Sequence, residues 1–120
     1  MEFKKRPDGG YFPPVLPNGE FYGIALGGDF QQLLFTVNED GLYAAGLHYL
    51  WSDITGISLT PNDGFRINSD KYRSGGLAFH PGMSFLKTAD GERIARMNGY
   101  GVDYCLMNRI TFESNGGELK

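Results

Sequence analysis

QLLFTVNEDGLYAAGLHYLWSDITGISL, residues 32–59, is the stretch on which the reading of the fold turns. Leu33, Phe35 and Val37 alternate with Leu34, Thr36 and Asn38, the period-two pattern of a strand with one buried face. Asn38-Glu39-Asp40-Gly41 follows as a turn, since Asp-Gly supplies the positive φ that tight hairpins require. Leu42 to Leu47 reads as a second strand, in which the small Ala44, Ala45 and Gly46 suggest close approach by a neighbouring strand or layer. His48-Tyr49-Leu50-Trp51-Ser52-Asp53-Ile54 then reads as an aromatic corner. Beyond it, Ile57 and Leu59 alternate with Ser58 and Thr60 as a third strand.

Outward from this stretch, short apolar runs separated by turn residues recur along the chain. Eighteen glycines and six prolines among 120 residues fall between those runs, which favours a β-rich fold with frequent turns. A first strand is expected over residues 20–26, and others over 65–68, 77–80, 83–88 and 92–97, the last two joined by Ala89-Asp90-Gly91. The expected fold is mainly β: a small antiparallel barrel or sandwich of seven to eight short strands. Residues 20–114 are expected to form a single β-rich domain, long enough for one core. Residues 1–19 hold four prolines and read as an extended N-terminal arm, because proline offers no amide hydrogen to a ladder or helix. The apolar Tyr11, Phe12, Val15 and Leu16 of that arm need cover, either on the protein itself or on a partner. Val102, Cys105, Leu106, Arg109 and Ile110 keep a three-to-four spacing, with Asp103 near its start, so a short C-terminal helix is expected; a strand over 109–113 competes with it. Residues 115–120 are expected to fray.

Val37-Asn38-Glu39-Asp40-Gly41-Leu42-Tyr43 and Leu50-Trp51-Ser52-Asp53-Ile54-Thr55-Gly56-Ile57 together resemble the strand, acidic turn, strand, W-x-D-I, strand run of small bacterial members of the pleckstrin-homology-like superfold. The resemblance covers residues 37–57 and implies seven antiparallel strands and one helix, with Trp51 and Ile54 in the core. Members that bind phosphoinositides carry bases between the first two strands. Here that loop is Gly27-Gly28-Asp29-Phe30-Gln31-Gln32, acidic and without a base, which argues against a lipid headgroup. The superfold alone assigns no function. Gly27-Gly28-Asp29-Phe30 also resembles the GGDEF signature of diguanylate cyclases, but it lacks that signature's glutamate and an α/β domain around it; a turn between strands explains the same letters.

The formal charge of −3, with acids and bases interspersed, gives no basic stripe to neutralise phosphates and so argues against nucleic-acid binding. No apolar run is long enough to span a bilayer, and no membrane partner is expected. The N-terminus lacks the apolar core of a signal peptide, and the single Cys105 agrees with a reducing compartment, so a cytoplasmic location is expected. No cofactor, metal site or catalytic residue is nominated: His48 and His80 have no second histidine at helical spacing, there is no cysteine cluster, and no serine sits in a nucleophile elbow.

What remains is a non-enzymatic module that binds a protein or peptide. Its candidate contacts are the loop residues Asp70, Lys71, Tyr72 and Arg73, since tyrosine and arginine favour interface anchors, together with Tyr11 and Phe12 of the arm. A narrower version is an inhibitor of bacterial or phage origin, an immunity or anti-defence protein that blocks a toxin or nuclease. A third is a small-ligand binder or minimal enzyme, with a pocket from Tyr43, His48, Tyr49, Phe79 and His80 beside Trp51.

Overall fold

The structure, a computed structural model, describes residues 3–6, 9–24, 31–61, 64–73, 75–79, 84–94 and 97–118. It is mainly β, with nine strands among the described residues, two antiparallel sheets and one C-terminal helix. Strands β1 (Gly19–Ile24), β2 (Gln31–Val37), β3 (Gly41–Ala44) and β4 (Leu47–Leu50) run as a meander, and β8 (Ser84–Thr88) and β9 (Arg93–Ile94) extend the same sheet beyond β1, in the order β4-β3-β2-β1-β8-β9. The second sheet is the meander β5 (Ile54–Leu59), β6 (Phe65–Ser69) and β7 (Gly76–Phe79). The GGDF loop, His80 and the Pro81-Gly82 turn lie outside the described residues.

The two sheets meet through four phenylalanines. Phe21 and Phe35, paired across β1 and β2, stack with ring centroids 4.8 Å apart, and Phe65 and Phe79 of the second sheet stack at 4.7 Å. Phe35 meets Phe65 edge-on at 6.0 Å and lies 5.3 Å from Phe79. Such pairs add about 0.5–1.5 kcal/mol each beyond the area they bury.

Three local expectations change. The alternation through β2 is broken by a bulge: Phe21 faces Phe35 but Tyr22 faces Leu33, so Leu34 is the extra residue. Phe35 and Val37 stay in the core, while Leu33 is 47% exposed. The single strand expected over residues 42–47 is a hairpin instead. Ala45 at φ 53° and Gly46 at φ 79° make a two-residue turn with both central residues left-handed, so residues 32–59 form four strands and not three. Alanine tolerates that conformation poorly, and this is why the sequence did not announce the turn. The expected aromatic corner thus becomes strand β4 followed by one 3-10 turn over Trp51–Asp53.

Helix α1 (Gly99–Ser114) follows the predicted spacing, burying Val102, Cys105, Leu106 and Arg109. It starts earlier than expected, because Asn98 is the cap: its Oδ1 accepts from the Gly101 amide at 2.8 Å. It stops at Asn115-Gly116-Gly117, where the Gly117 amide reaches back to the Phe112 carbonyl (2.8 Å) and the Gly116 amide to that of Glu113 (3.2 Å). The left-handed Gly116 makes that reversal possible. The helix packs on β5, β6 and the 3-10 turn.

The arm is part of the core. Lys5 and Tyr11 form an isolated antiparallel bridge, after which Phe12 and Leu16 are fully buried. Gly101 makes room for the arm: a Cβ there would stand 2.7 Å from the Phe12 ring. The Leu16 amide donates to the Cys105 carbonyl (3.1 Å), and the Cys105 thiol lies 2.9 Å from the Pro13 carbonyl. Burial pushes that thiol up to about 12, so it stays protonated. Arg109 fastens the end of the arm. Its guanidinium donates to the Leu16 carbonyl (3.2 Å), the Asn18 side chain (3.1 Å) and the Asn38 carbonyl (3.4 Å), and pairs with Glu113 at 3.0 Å. It also lies 5.2 Å from the ring of Trp51, whose indole N–H donates to the Glu39 carbonyl at 3.0 Å. Trp51 and Arg109 together bolt the β2–β3 turn to the helix.

Candidate functional site at the open edge of the first sheet

Strand β4 ends one side of the six-stranded sheet, so alternate main-chain groups along it have no strand to bond among the described residues. The hairpin fixes which ones. Residues flanking a two-residue turn form a bonded pair, so Ala44 with Leu47 and Leu42 with Tyr49 face each other through hydrogen bonds, whereas His48 and Leu50 turn their amides outward.

Side chains from elsewhere in the chain occupy those outward groups. The Tyr72 hydroxyl accepts from the His48 amide at 3.3 Å and donates to the His48 carbonyl at 3.0 Å. Lys71 Nζ donates to the same carbonyl at 2.9 Å and pairs with Asp53 Oδ2 at 3.0 Å. Asp53 Oδ2 also accepts from the Leu50 amide at 2.8 Å. The Leu50 amide, and then Lys71, hold the Asp53 carboxyl below its usual range, and the contact with Asp53 raises the Lys71 ammonium. Both charges face solvent, so this pair closes the edge without storing much stability.

Around this clip the two sheet faces differ. Toward the core, Tyr49 is fully buried and meets the Tyr72 ring edge-on at 5.2 Å. Its hydroxyl has no hydrogen-bond partner among the described residues. On the outer face His48 and Tyr43 stack with centroids 4.0 Å apart, and Tyr43 and Leu50 remain 45% and 42% exposed. Asp70, Lys71 and Arg73, in the loop that carries Tyr72, are exposed.

The structure thus brings Lys71 and Tyr72 of the loop together with His48 and Tyr49, and His48 carries Tyr43 on its ring, joining two groups the sequence offered separately. It does not gather the proposed pocket. Tyr43 faces His48 across the hairpin, and the successive residues His48 and Tyr49 point to opposite faces, so Tyr43 and Tyr49 lie on opposite sides of the sheet; Phe79 belongs to the phenylalanine cluster between the sheets. His80 lies outside the described residues. Tyr11 is 60% exposed and meets Phe3 edge-on at 6.2 Å, remote in sequence from the β4 edge, while Phe12 at 1% exposure offers nothing to a partner. Tyr72, unlike its neighbours in the loop, is half-buried and tied to β4.

The sequence did not single out Leu50, nor Asp53 as the partner of Lys71. Asp53 lies eighteen positions from Lys71, and no local pattern links them; the only hint was the W-x-D-I string itself. Chemically the corner offers hydrogen bonds, one ion pair and apolar contact. Among the described residues no group of three His, Cys, Asp or Glu is placed to hold a metal ion. No helix of the described chain is long and apolar enough to cross a membrane. No protein-family model matches the chain, and no curated protein or solved structure matches it either.

Proposed function

We propose that this protein is a non-enzymatic interaction module that binds a protein or peptide at the β4 corner. The observation that carries the reading is the convergence of Tyr43, His48 and Leu50 with the charged loop 70–73 at one sheet edge. Exposed apolar side chains with polar and charged neighbours are the anatomy of an interface centre and rim. The pleckstrin-homology-like relationship belongs to the same proposal, supported by a four-strand meander, a three-strand meander and a closing helix; the β8–β9 hairpin is then an addition. A cytoplasmic setting fits the single thiol buried in its reduced form.

Affinity capture from the native host with the wild type and with a Tyr43→Ser/Arg73→Glu variant tests it. Both side chains are exposed, so the variant keeps its fold, checked by circular dichroism. The expected result is a protein retained by the wild type and lost by the variant. Identical capture by the two would remove this corner as the binding surface.

A further inference from the structure

The clip on β4 has the bonding pattern of an absent strand. In an antiparallel pair one residue exchanges both its N–H and its C=O with a single opposite residue, whereas in a parallel pair the two bonds go to different residues. The Tyr72 hydroxyl serves both groups of His48, and so stands where one residue of an antiparallel neighbour would stand. Lys71, adjacent in sequence, adds a cation that reaches Asp53. From this geometry we infer that β4 is a conditional strand-addition edge. An extended segment of a partner protein carrying a lysine or arginine pairs antiparallel with His48 in place of Tyr72, and its cation takes the seat of Lys71 beside Asp53. The inference rests on the interaction-module reading and names the partner's chemistry at the same site.

Three observations select this occupant. Main-chain groups that point sideways out of a sheet are satisfied by another extended backbone; a helix satisfies its own. When Lys71 leaves, the Asp53 carboxylate keeps the Leu50 amide but loses its cation, and an incoming base restores it. Tyr43 and Leu50, exposed on the outer face beside the edge, give alternate side chains of the incoming strand an apolar contact. A second copy of this chain fits less well. Its β4 has four residues, both copies would have to displace their clips, and Lys71 would be brought against its twin, in a contact well below the roughly 1,000 Å² of a stable interface.

The test uses the full chain, wild type and Lys71→Ala/Tyr72→Phe, which keeps the aromatic ring on Tyr49 while removing the clip. The probe is a blocked octapeptide, Thr-Val-Thr-Lys-Val-Thr-Val-Thr, titrated by amide NMR. Opening the clip removes an internal competitor, so the apparent affinity rises about tenfold, with the His48 amide among those that shift most. A probe N-methylated at its central valine loses binding, and Asp53→Asn in the opened protein abolishes the preference for the lysine probe over one with leucine in its place. If the opened protein shows no shift along β4, or binds the N-methylated probe equally well, the inference is wrong. Doubling of the opened protein's mass in solution without probe binding would assign the edge to a second copy instead. The two proposals fail separately: probe binding at His48 survives a negative capture experiment, and lost capture by Tyr43→Ser/Arg73→Glu survives a silent probe.

Discussion

The N-terminal arm and the β4 edge are both held by side chains that reach main-chain groups, yet they are opposite kinds of closure. In the arm, Cys105 and Arg109 meet the carbonyls of Pro13 and Leu16 beneath a layer that includes Phe12 and Leu16. At the edge, Tyr72 and Lys71 meet His48 with water on one side. A hydrogen bond nets little where water can replace it, and breaking it costs several times more where water cannot enter. The same bonding pattern is therefore permanent in one place and exchangeable in the other. The exchangeable closure is the one the proposed partner strand would displace.

The comparison is most sharply tested at Phe12. Truncation by Phe12→Ala leaves a cavity over Gly101 and should cost about 3–5 kcal/mol in urea unfolding, enough to threaten the fold of a domain this small. If the loss were below about 1 kcal/mol, the arm would be a loose cover and the contrast with the edge would collapse. Arg109→Met comes next. It strips partners from the Leu16 and Asn38 carbonyls and from Glu113, and about 3 kcal/mol should be lost. A much smaller loss would show that packing alone retains the arm.

Opening the edge with Lys71→Ala/Tyr72→Phe should leave the unfolding midpoint close to that of the wild type while speeding amide exchange at His48, the outward group it uncovers. Unchanged exchange there would mean that the clip does not close the edge. Its pH dependence follows from the two groups. Asp53 is lowered from 3.8, so its contribution is complete above that value and is lost as pH falls through the lower folded one; Lys71 is raised from 10.5, so its contribution is complete below that value and is lost as pH rises through the higher folded one. Exchange at His48 should accordingly show no change from the clip between about pH 5 and 9.

The smallest effect is expected at Asp103, on the helix to which the arm is bound. One of its carboxylate oxygens is buried without a partner among the described residues, and burial raises the carboxyl above its usual 3.8. A raised carboxyl stabilises the fold least when ionised. Asp103→Asn should therefore raise the unfolding midpoint slightly at neutral pH, an effect kept small by solvent screening of this half-buried group, and the gain should vanish as pH drops below 3.8, where both states are protonated. A loss at neutral pH would mean that the carboxylate has a cationic partner.

How much could be read in advance differs between these regions. The helix showed itself in the spacing of Val102, Cys105, Leu106 and Arg109, though its cap did not, because Asn98 lies outside the apolar pattern. The Asp40-Gly41 and Asp90-Gly91 turns were legible, while the Ala45-Gly46 turn was not, since alanine at φ 53° is held there by the pairing of Ala44 with Leu47. Tyr72 and Lys71 could be named as interface-prone residues, but not that they already grip β4.

The sequence by itself determined the β-rich class and the burial of Phe35 and Val37, because both are set by local periodicity and turn chemistry, and it marked a C-terminal helix without excluding a strand there. Tertiary structure alone decided the bulge that turns Leu33 outward, the role of Arg109 at the end of the arm, and the pairing of Asp53 with Lys71 at the sheet edge. Those join residues far apart in the chain, and only the packed geometry fixes which distant side chain reaches an open main-chain group.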